Sequence, residues 1–417
     1  MTIALLDAGI PGYVGNPFIE ACGPLHSDAE MFKRLAYMPP EPPQKSPDAP
    51  VVLLNYLPEL RRLHLPTSEG VALAQTIHTM IRQGYVHRNP AEATTWGQLY
   101  SPVSHCSSHS AVQLGATVSG VSGVGKSEAV ERALSLLPPV IEHPSVPGFA
   151  GPVSQLVWLK IDVPASGTIT ALVEALAAAT DVALGTNLTT ELFRGRVRRG
   201  STLAMEWLGR VMPYFPGIFV FDEVQNLFKI ADKATRERSS KRGVEPTLPR
   251  IADDEALKLI LTITNSSKVP ILCIGTPDGM DGLTRRMSTA QRLVTAGYHC
   301  IPHPESADSP IFAEQLFRVL LRHQCLPNPV IDIDALRRHF FALTGGIPRI
   351  CVSLWSKAVM HASRRGATCL SLDDFTYVAN TQMAPVMPAV AALLSKDPLR
   401  LRRYEDLVPP PQHPVWV

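Results

Sequence analysis

An α/β fold is what this sequence predicts: a parallel sheet flanked by helices, followed by a small helical lid, with proline-rich arms at both ends. Three observations carry that prediction. From Val112 onward, apolar runs of strand length alternate with helical patterns. A glycine-rich turn joins the first such run to the first such helix, and beyond Ile311 the apolar spacing is helical only.

The bulk properties agree with such a fold. A chain of 417 residues, 45% of them hydrophobic, holds one large domain and a smaller companion with flanking segments. The formal net charge is +2, so affinity for nucleic acid has to come from local clusters and not from a uniformly basic surface. Seven cysteines, an odd number without paired spacing, read as reduced intracellular thiols. The amino terminus has no basic stretch leading a long apolar run, and no segment offers the roughly 18 continuous apolar residues of a membrane span. A soluble cytoplasmic protein is therefore expected.

Along the chain, prolines gather in MPPEPPQKSPDAP near residue 38 and in LVPPPQHPVWV at the carboxyl end, which read as extended arms. A helix is expected after Pro66, capped by Thr67 or Ser68, with Val71, Ala74, Ile77 and Ile81 on one face and Gly84 as its stop. LGATVSG then reads as a strand, SEAVERALSLL as a helix, and LVWLKIDV, GIFVFDEV and VPILCIGT as three further strands. IFAEQLFRVLLRH, IDIDALRRHFFAL and IPRICVSLWSKAVMHA supply the lid helices. The expected division is an N-terminal arm over 1–54, a nucleotide-binding domain over 55–305, a lid over 306–380 and a tail over 381–417.

The turn GVSGVGKS matches GxxxxGK[ST] between a strand and a helix, where a phosphate-binding loop has to lie. Gly120, Gly123 and Gly125 let the backbone of Val121, Ser122 and Val124 curl so that its N–H groups face phosphates. Lys126 reaches the β and γ oxygens, Ser127 offers a hydroxyl to Mg²⁺, and Glu128 opens the helix. A chance glycine turn is the competing reading, and the flanking elements count against it. In GIFVFDEV, an apolar run delivers Asp222 and Glu223 to the carboxyl edge of the sheet, where open α/β sheets bind ligands. Asp222 suits the Mg²⁺ shell, and Glu223 suits orienting or deprotonating the attacking water. The cofactors expected are thus ATP and Mg²⁺. Thr276 ends a later strand, where a polar side chain can touch the γ-phosphate, and Arg349 opens a lid helix, where an ordinary surface arginine is the alternative.

Beyond these widely shared motifs, the chain resembles the TnsC and TniB group of AAA+ P-loop NTPases, the ATPase regulators of DNA transposition. The resemblance runs over residues 55–380 through IRQGYVHRNP, VSGVSGVGKS, VIEHPSV, SQLVWLKIDVPASGTI, GTN at residue 185, FVFDEVQNL and VPILCIGTPDG, in that order. It implies a ring or helical filament, hexameric or heptameric, on double-stranded DNA when ATP is bound. It also implies transposase subunits and a target-selecting protein or guide-RNA complex as partners, and an arginine from a neighbouring protomer at each site. Arg292 leads the candidates for that arginine, with Arg285 and Arg286 competing. Arg88, Asn89 and Pro90 are candidates to wrap the adenine, with packing as the alternative.

A basic stretch carrying Lys229, Lys233, Arg236, Arg238, Lys241, Arg242 and Arg250 follows the acidic pair. It is a candidate for tracking DNA phosphates, against the alternative of a solvated insertion. Arg194, Arg196, Arg198 and Arg199 read as a solvated cluster, and the tail as a transposase contact. The histidines and cysteines of HCSSH (105–109) and HCIPH (299–303) lack the paired spacing of a zinc site, and Cys273, Trp158 and Trp207 read as packing residues. Two rivals stand beside a hydrolysis-reset regulator: a scaffold that needs bound ATP only to assemble, and another AAA+ DNA machine such as a helicase loader.

Overall fold

Five strands make the central sheet: β1 (Gly115–Ser119), β2 (Trp158–Asp162), β3 (Ile218–Asp222), β4 (Ile271–Ile274) and β5 (Gly297–Cys300). The computed structural model describes residues 2–42, 49–100, 113–149, 151–194, 199–227, 253–277, 279–280, 287–401 and 404. The strands lie in the order β2-β3-β4-β1-β5, with the β2–β3, β3–β4 and β1–β4 pairs parallel. Every residue of β1, β3 and β4 is buried, because helices cover both faces of a parallel sheet, and this explains their unbroken apolar runs.

The chain divides into two compact units. The first holds Met1–Met31, Ala72–Ser119 and Ser127–His299. Its helices are α1 (Ser68–Val86, from Ala72 onward), α2 (Lys126–Ser135, from Ser127), α3 (Ile169–Leu184), α4 (Gly200–Val211), α5 (Asp253–Ser267) and α6 (Met287–Leu293). Leu172 and Leu176 of α3, Trp207 and Leu208 of α4, and Ile260 and Ile263 of α5 close over Phe219 and Phe221 of β3. Trp207 also finds a partner for its indole N–H in the Thr180 hydroxyl at 3.2 Å, so it is a packing residue, as expected. Cys273 of β4 is buried in the same core, and burial pushes its thiol up to about 12.

Where an arm was expected, the N-terminal segment is folded into the first unit. Asn16 caps the helix Pro17–Ala21 by accepting from the Phe18 amide, and its Nδ2 donates to the Tyr85 carbonyl at 2.9 Å. Phe18 is fully buried, with ring centroids 4.6 Å from Phe215 and 5.6 Å from Tyr85. Arg82 is buried and donates through Nη2 to the carbonyls of Cys22, Gly23 and Pro24. Proline content marks where helices cannot continue, not where a chain stays apart from a core.

Gly84 does not end α1, which continues to Val86. A Cβ on Gly84 would stand 2.9 Å from Cδ and Cγ of Pro270, so the glycine provides close approach inside the helix and not a left-handed cap. The apolar run from Leu156 also splits in two. Val153–Leu156 pairs antiparallel with Val140–His143 as a hairpin, and only Trp158 onward joins the central sheet. The short edge strand β5 carries too few apolar residues to signal itself.

The second unit holds Phe32–Val71, Gly120–Lys126 and Cys300–Val417. Beyond Ile311 its described part is helical, as the spacing predicts, and includes α7 (Ile333–Thr344), α8 (Pro348–Arg364) and α9 (Leu372–Asn380). Helices continue past the expected lid boundary, through Met387–Ser395 and Pro398–Leu401. Leu53, Leu57 and Leu60 share its core with Phe312, Phe340, Trp355 and Phe375, which brings part of the expected arm into this unit. Among the described residues no helix is long and apolar enough to cross a membrane.

Ser371 and Asp374 form a reciprocal cap at the start of α9, and Arg365 donates to both Asp374 oxygens at 2.8 Å. Burial alone would raise the Asp374 pKa, but the Arg365 guanidinium and the Ser371 hydroxyl and amide hold it below the ordinary value. Its contribution is therefore complete above an unfolded-state pKa of about 3.9 and is lost as pH falls through the lowered folded value. Thermal melts of the parent should show this loss on acidification, and Asp374→Asn should both lower the neutral-pH melting point and flatten that part of the acid limb.

Candidate nucleotide site

The carboxyl ends of β1, β3 and β4 lie on one edge of the sheet, because all three strands run parallel as neighbours. Each end leads into a segment singled out by the sequence. From Ser119, the last residue of β1, the chain enters the glycine loop, and it returns to the first unit at Ser127 in the first turn of α2. From Asp222 it enters the turn Glu223–Leu227, and from Ile274 it reaches Gly275 and Thr276.

Within the second unit, the loop has the conformation that its glycines permit. Gly123 and Gly125 take φ of 79° and 102°, which a side chain would strain. Val121 and Val124 are buried, whereas Ser122 is half-exposed. Lys126 folds back over the loop, its Nζ donating to the carbonyls of Gly120 at 2.8 Å and Val121 at 3.2 Å. Arg349, the second residue of α8, is exposed, and its Cβ lies 3.6 Å from where a Cβ on Gly123 would stand. The arginine and the loop are thus neighbours within one unit.

In the first unit, Asp222 is almost fully buried at the end of β3. Its Oδ1 accepts from the Glu223 amide at 2.8 Å, and its Oδ2 is 3.1 Å from the Lys160 ammonium on β2. Lys160 also meets Glu131 of α2 at 2.6 Å and Asp162 at 3.7 Å. Burial pulls the Lys160 ammonium down, but Glu131 and Asp222 more than offset that and leave its pKa above the ordinary value. Nothing in the apolar strand pattern marks Lys160 as the counter-ion of Asp222; only the in-register pairing of β2 with β3 brings them together.

Glu223 is exposed, and its backbone has φ of 56°, in the left-handed region that few side chains adopt. Thr276 is buried, and its amide donates to Oε1 of Gln225 at 3.4 Å. Glu128 has its Oε1 on Nε of Arg132 at 2.6 Å, one turn along α2. Arg292 is exposed in the last turn of α6.

Arg88, Asn89 and Pro90 are all engaged in hydrogen bonds within the first unit. Burial pulls the Arg88 guanidinium down to about 10, and its Nε and Nη1 donate to the carbonyls of Gly84 at 2.8 Å and Pro216 at 2.7 Å. Asn89 accepts from the Ala91 amide through Oδ1 and from the Thr95 hydroxyl through its carbonyl, while Pro90 accepts from the Trp96 indole. The Arg88 side chain is therefore turned into the protein. Of the two histidines at 299 and 303, His299 bonds Thr76 and His303 bonds the Gly345 carbonyl, each within its own unit. Trp158 donates its indole N–H to the Leu137 carbonyl.

Several expectations lie outside the described residues: Lys229, Lys233, Arg236, Arg238, Lys241, Arg242 and Arg250, Arg196 and Arg198, Arg285 and Arg286, residues 105–109 and the tail beyond 404.

Residues 112–283 match the AAA domain family. Together with the five-stranded order β5-β1-β4-β3-β2 and the glycine loop after β1, that match makes the fold the AAA+ P-loop NTPase fold. Among solved structures, the chain is similar to the ORC2 protein of Aeropyrum pernix in ADPNP-ADP complexes. That likeness has 11% identity and a TM-score of 0.38, and covers 70% of this chain and 68% of that one. No curated protein matches the chain.

Two outcomes test these assignments. Lys160→Met leaves a buried carboxylate without its cation, and urea unfolding should show a loss of about 3 kcal/mol. Arg88→Met removes a charged donor from the Pro216 carbonyl and should cost about 2 kcal/mol in the same assay. Its nucleotide affinity should stay at the parent value, whereas a role at the adenine would show as weakened binding.

Proposed function

We propose that this protein is an ATP-dependent regulator of DNA transposition of the TnsC type, which assembles on duplex DNA and passes a selected target site to a transposase. The observation that carries the ATPase half is the glycine loop that joins β1 to α2, together with β3 of the same sheet, which ends at Asp222 and is followed by Glu223. The transposition half rests on the ordered sequence blocks from IRQGYVHRNP to VPILCIGTPDG.

In this reading, Lys126 exchanges the carbonyls of Gly120 and Val121 for the β- and γ-phosphate oxygens of ATP. The loop amides face the phosphates, and Arg349 reaches them from the start of α8. Ser127 and Asp222 provide a hydroxyl and a carboxylate, the hard oxygen donors that magnesium takes, and both belong to the first unit. Bound there, magnesium would neutralise charge on the phosphate oxygens. Glu223 orients a water and accepts its proton as the water oxygen bonds to the γ-phosphorus. The bond from that phosphorus to the β–γ bridging oxygen breaks, and ADP and inorganic phosphate leave. Thr276 contacts the attacking water or the γ-phosphate, and Arg292 of a neighbouring protomer completes the site.

ATP here governs populations of assembled and free protomers, so slow hydrolysis is enough to reset a choice of target. The basic stretch from Lys229 to Arg242 follows DNA phosphates without reading sequence, and a partner protein or guide-RNA complex supplies the address.

Electron microscopy of the full chain with duplex DNA tests the assembly. Rings or filaments should form with a slowly hydrolysed ATP analogue and not with ADP, and Lys126→Ala should form none. In reconstituted transposition, Glu223→Gln should hold the DNA-bound assembly and spoil target discrimination. An unchanged transposition outcome with Glu223→Gln would favour the scaffold, and insertion indifferent to the protein would favour a different AAA+ DNA machine.

A further inference from the structure

The turn that follows β3 is tied to the strands on both sides by two consecutive amides. Asn226 donates through Nδ2 to the Val163 carbonyl at 2.8 Å, just beyond β2. Gln225 faces the other way. Its Oε1 accepts from the Thr276 amide at 3.4 Å, just beyond β4, and its Nε2 donates to Oε2 of Glu223. The same side chain therefore touches both the exposed carboxylate and the end of the neighbouring strand.

Two glycines of the GTPDG segment make room for it. A Cβ on Gly275 would stand 3.1 Å from Oε1 of Gln225, and a Cβ on Gly279 would stand 2.9 Å from its Cβ. The chemistry at the two ends also fixes the amide's direction. A carboxylate only accepts and a backbone N–H only donates, so Nε2 has to face Glu223 and Oε1 has to face Thr276. No hydrocarbon of the same length satisfies either neighbour, and a carboxylate there would lose the donor and repel Glu223.

We infer that Gln225 is a positioning residue for hydrolysis: it holds the Glu223 carboxylate in one direction and makes that direction depend on where Thr276 stands. Glu223 needs such a partner, because its side chain is exposed and its only described neighbour of this kind is Gln225. A displacement of the Thr276 amide, as when its side chain meets a γ-phosphate, passes through one amide group to the carboxylate that accepts the proton. The inference rests on the reading of Glu223 as that acceptor.

The test is a double-mutant cycle in the full chain, reading kcat for ATP hydrolysis and the Kd of a fluorescent ATP analogue. Gln225→Met should lower kcat at least tenfold, with Kd within twofold of the parent and an unchanged melting point. Combined with Glu223→Gln it should add no further loss, because it acts through that carboxylate. Gln225→Glu, which keeps the size and the acceptor, should reproduce the loss and guards against a folding defect in the apolar variant. Parent-like kcat in both Gln225 variants while Glu223→Gln is inactive would overturn this inference alone, as would a loss that multiplies in the double variant. Parent-like hydrolysis by Glu223→Gln would instead remove the proton-acceptor reading, and this inference with it.

Discussion

A carboxylate at the end of a buried strand cannot remain charged in an apolar sheet without a cation and hydrogen-bond donors beside it. Asp222 has both: the Lys160 ammonium from the next strand and the Glu223 amide from its own turn. Much of the local architecture follows from keeping that charge where it is. The in-register pairing of β2 with β3 puts Lys160 beside it, and α2 adds Glu131 to hold the lysine. The turn beyond it bends through a left-handed backbone at Glu223, which leaves the second carboxylate outside the core while the first stays within. Two consecutive acids thus lie in different environments, one paired with a cation inside the core and one exposed beyond the strand end.

The turn after β3 is anchored sideways instead of along its own chain. Asn226 holds the β2 side and Gln225 the β4 side, so the acidic pair is referenced to both neighbouring strands. Glycines at 275 and 279 belong to this arrangement as much as the amides do, since they let the turn approach the β4 end closely. In the phosphate loop, glycine serves a different purpose, backbone angles that a side chain would strain. The same residue type therefore does two physically distinct things in this chain.

The block IRQGYVHRNP, which carries the sharpest part of the family resemblance, turns out to be bound into the fold. Arg82 gathers the carbonyls of Cys22 to Pro24, Tyr85 bonds the Phe215 carbonyl, and Arg88 bonds that of Pro216. Long polar side chains on α1 and just beyond its end thus satisfy backbone groups of segments elsewhere in the first unit. Three residues of that block are thus bonded to segments far from it in the chain.

Sequence alone determined what is local or periodic. The loop GVSGVGKS, the strands β1, β3 and β4, the carboxylates at 222 and 223, and the helices beyond Ile311 were all legible, because glycine geometry and apolar spacing are written in consecutive residues. Tertiary structure decided the rest. It made Gly84 a contact surface for Pro270, divided the run around Val157 between a hairpin and the sheet, and drew the N-terminal segment around Tyr85. It also chose Lys160 as the partner of Asp222 and Gln225 as the partner of Glu223 and Thr276. Partners such as Arg88 and Pro216 are 128 residues apart in the chain. A hydrogen bond across that separation exists only once the sheet has set its strand order, and no window of sequence contains both of its ends.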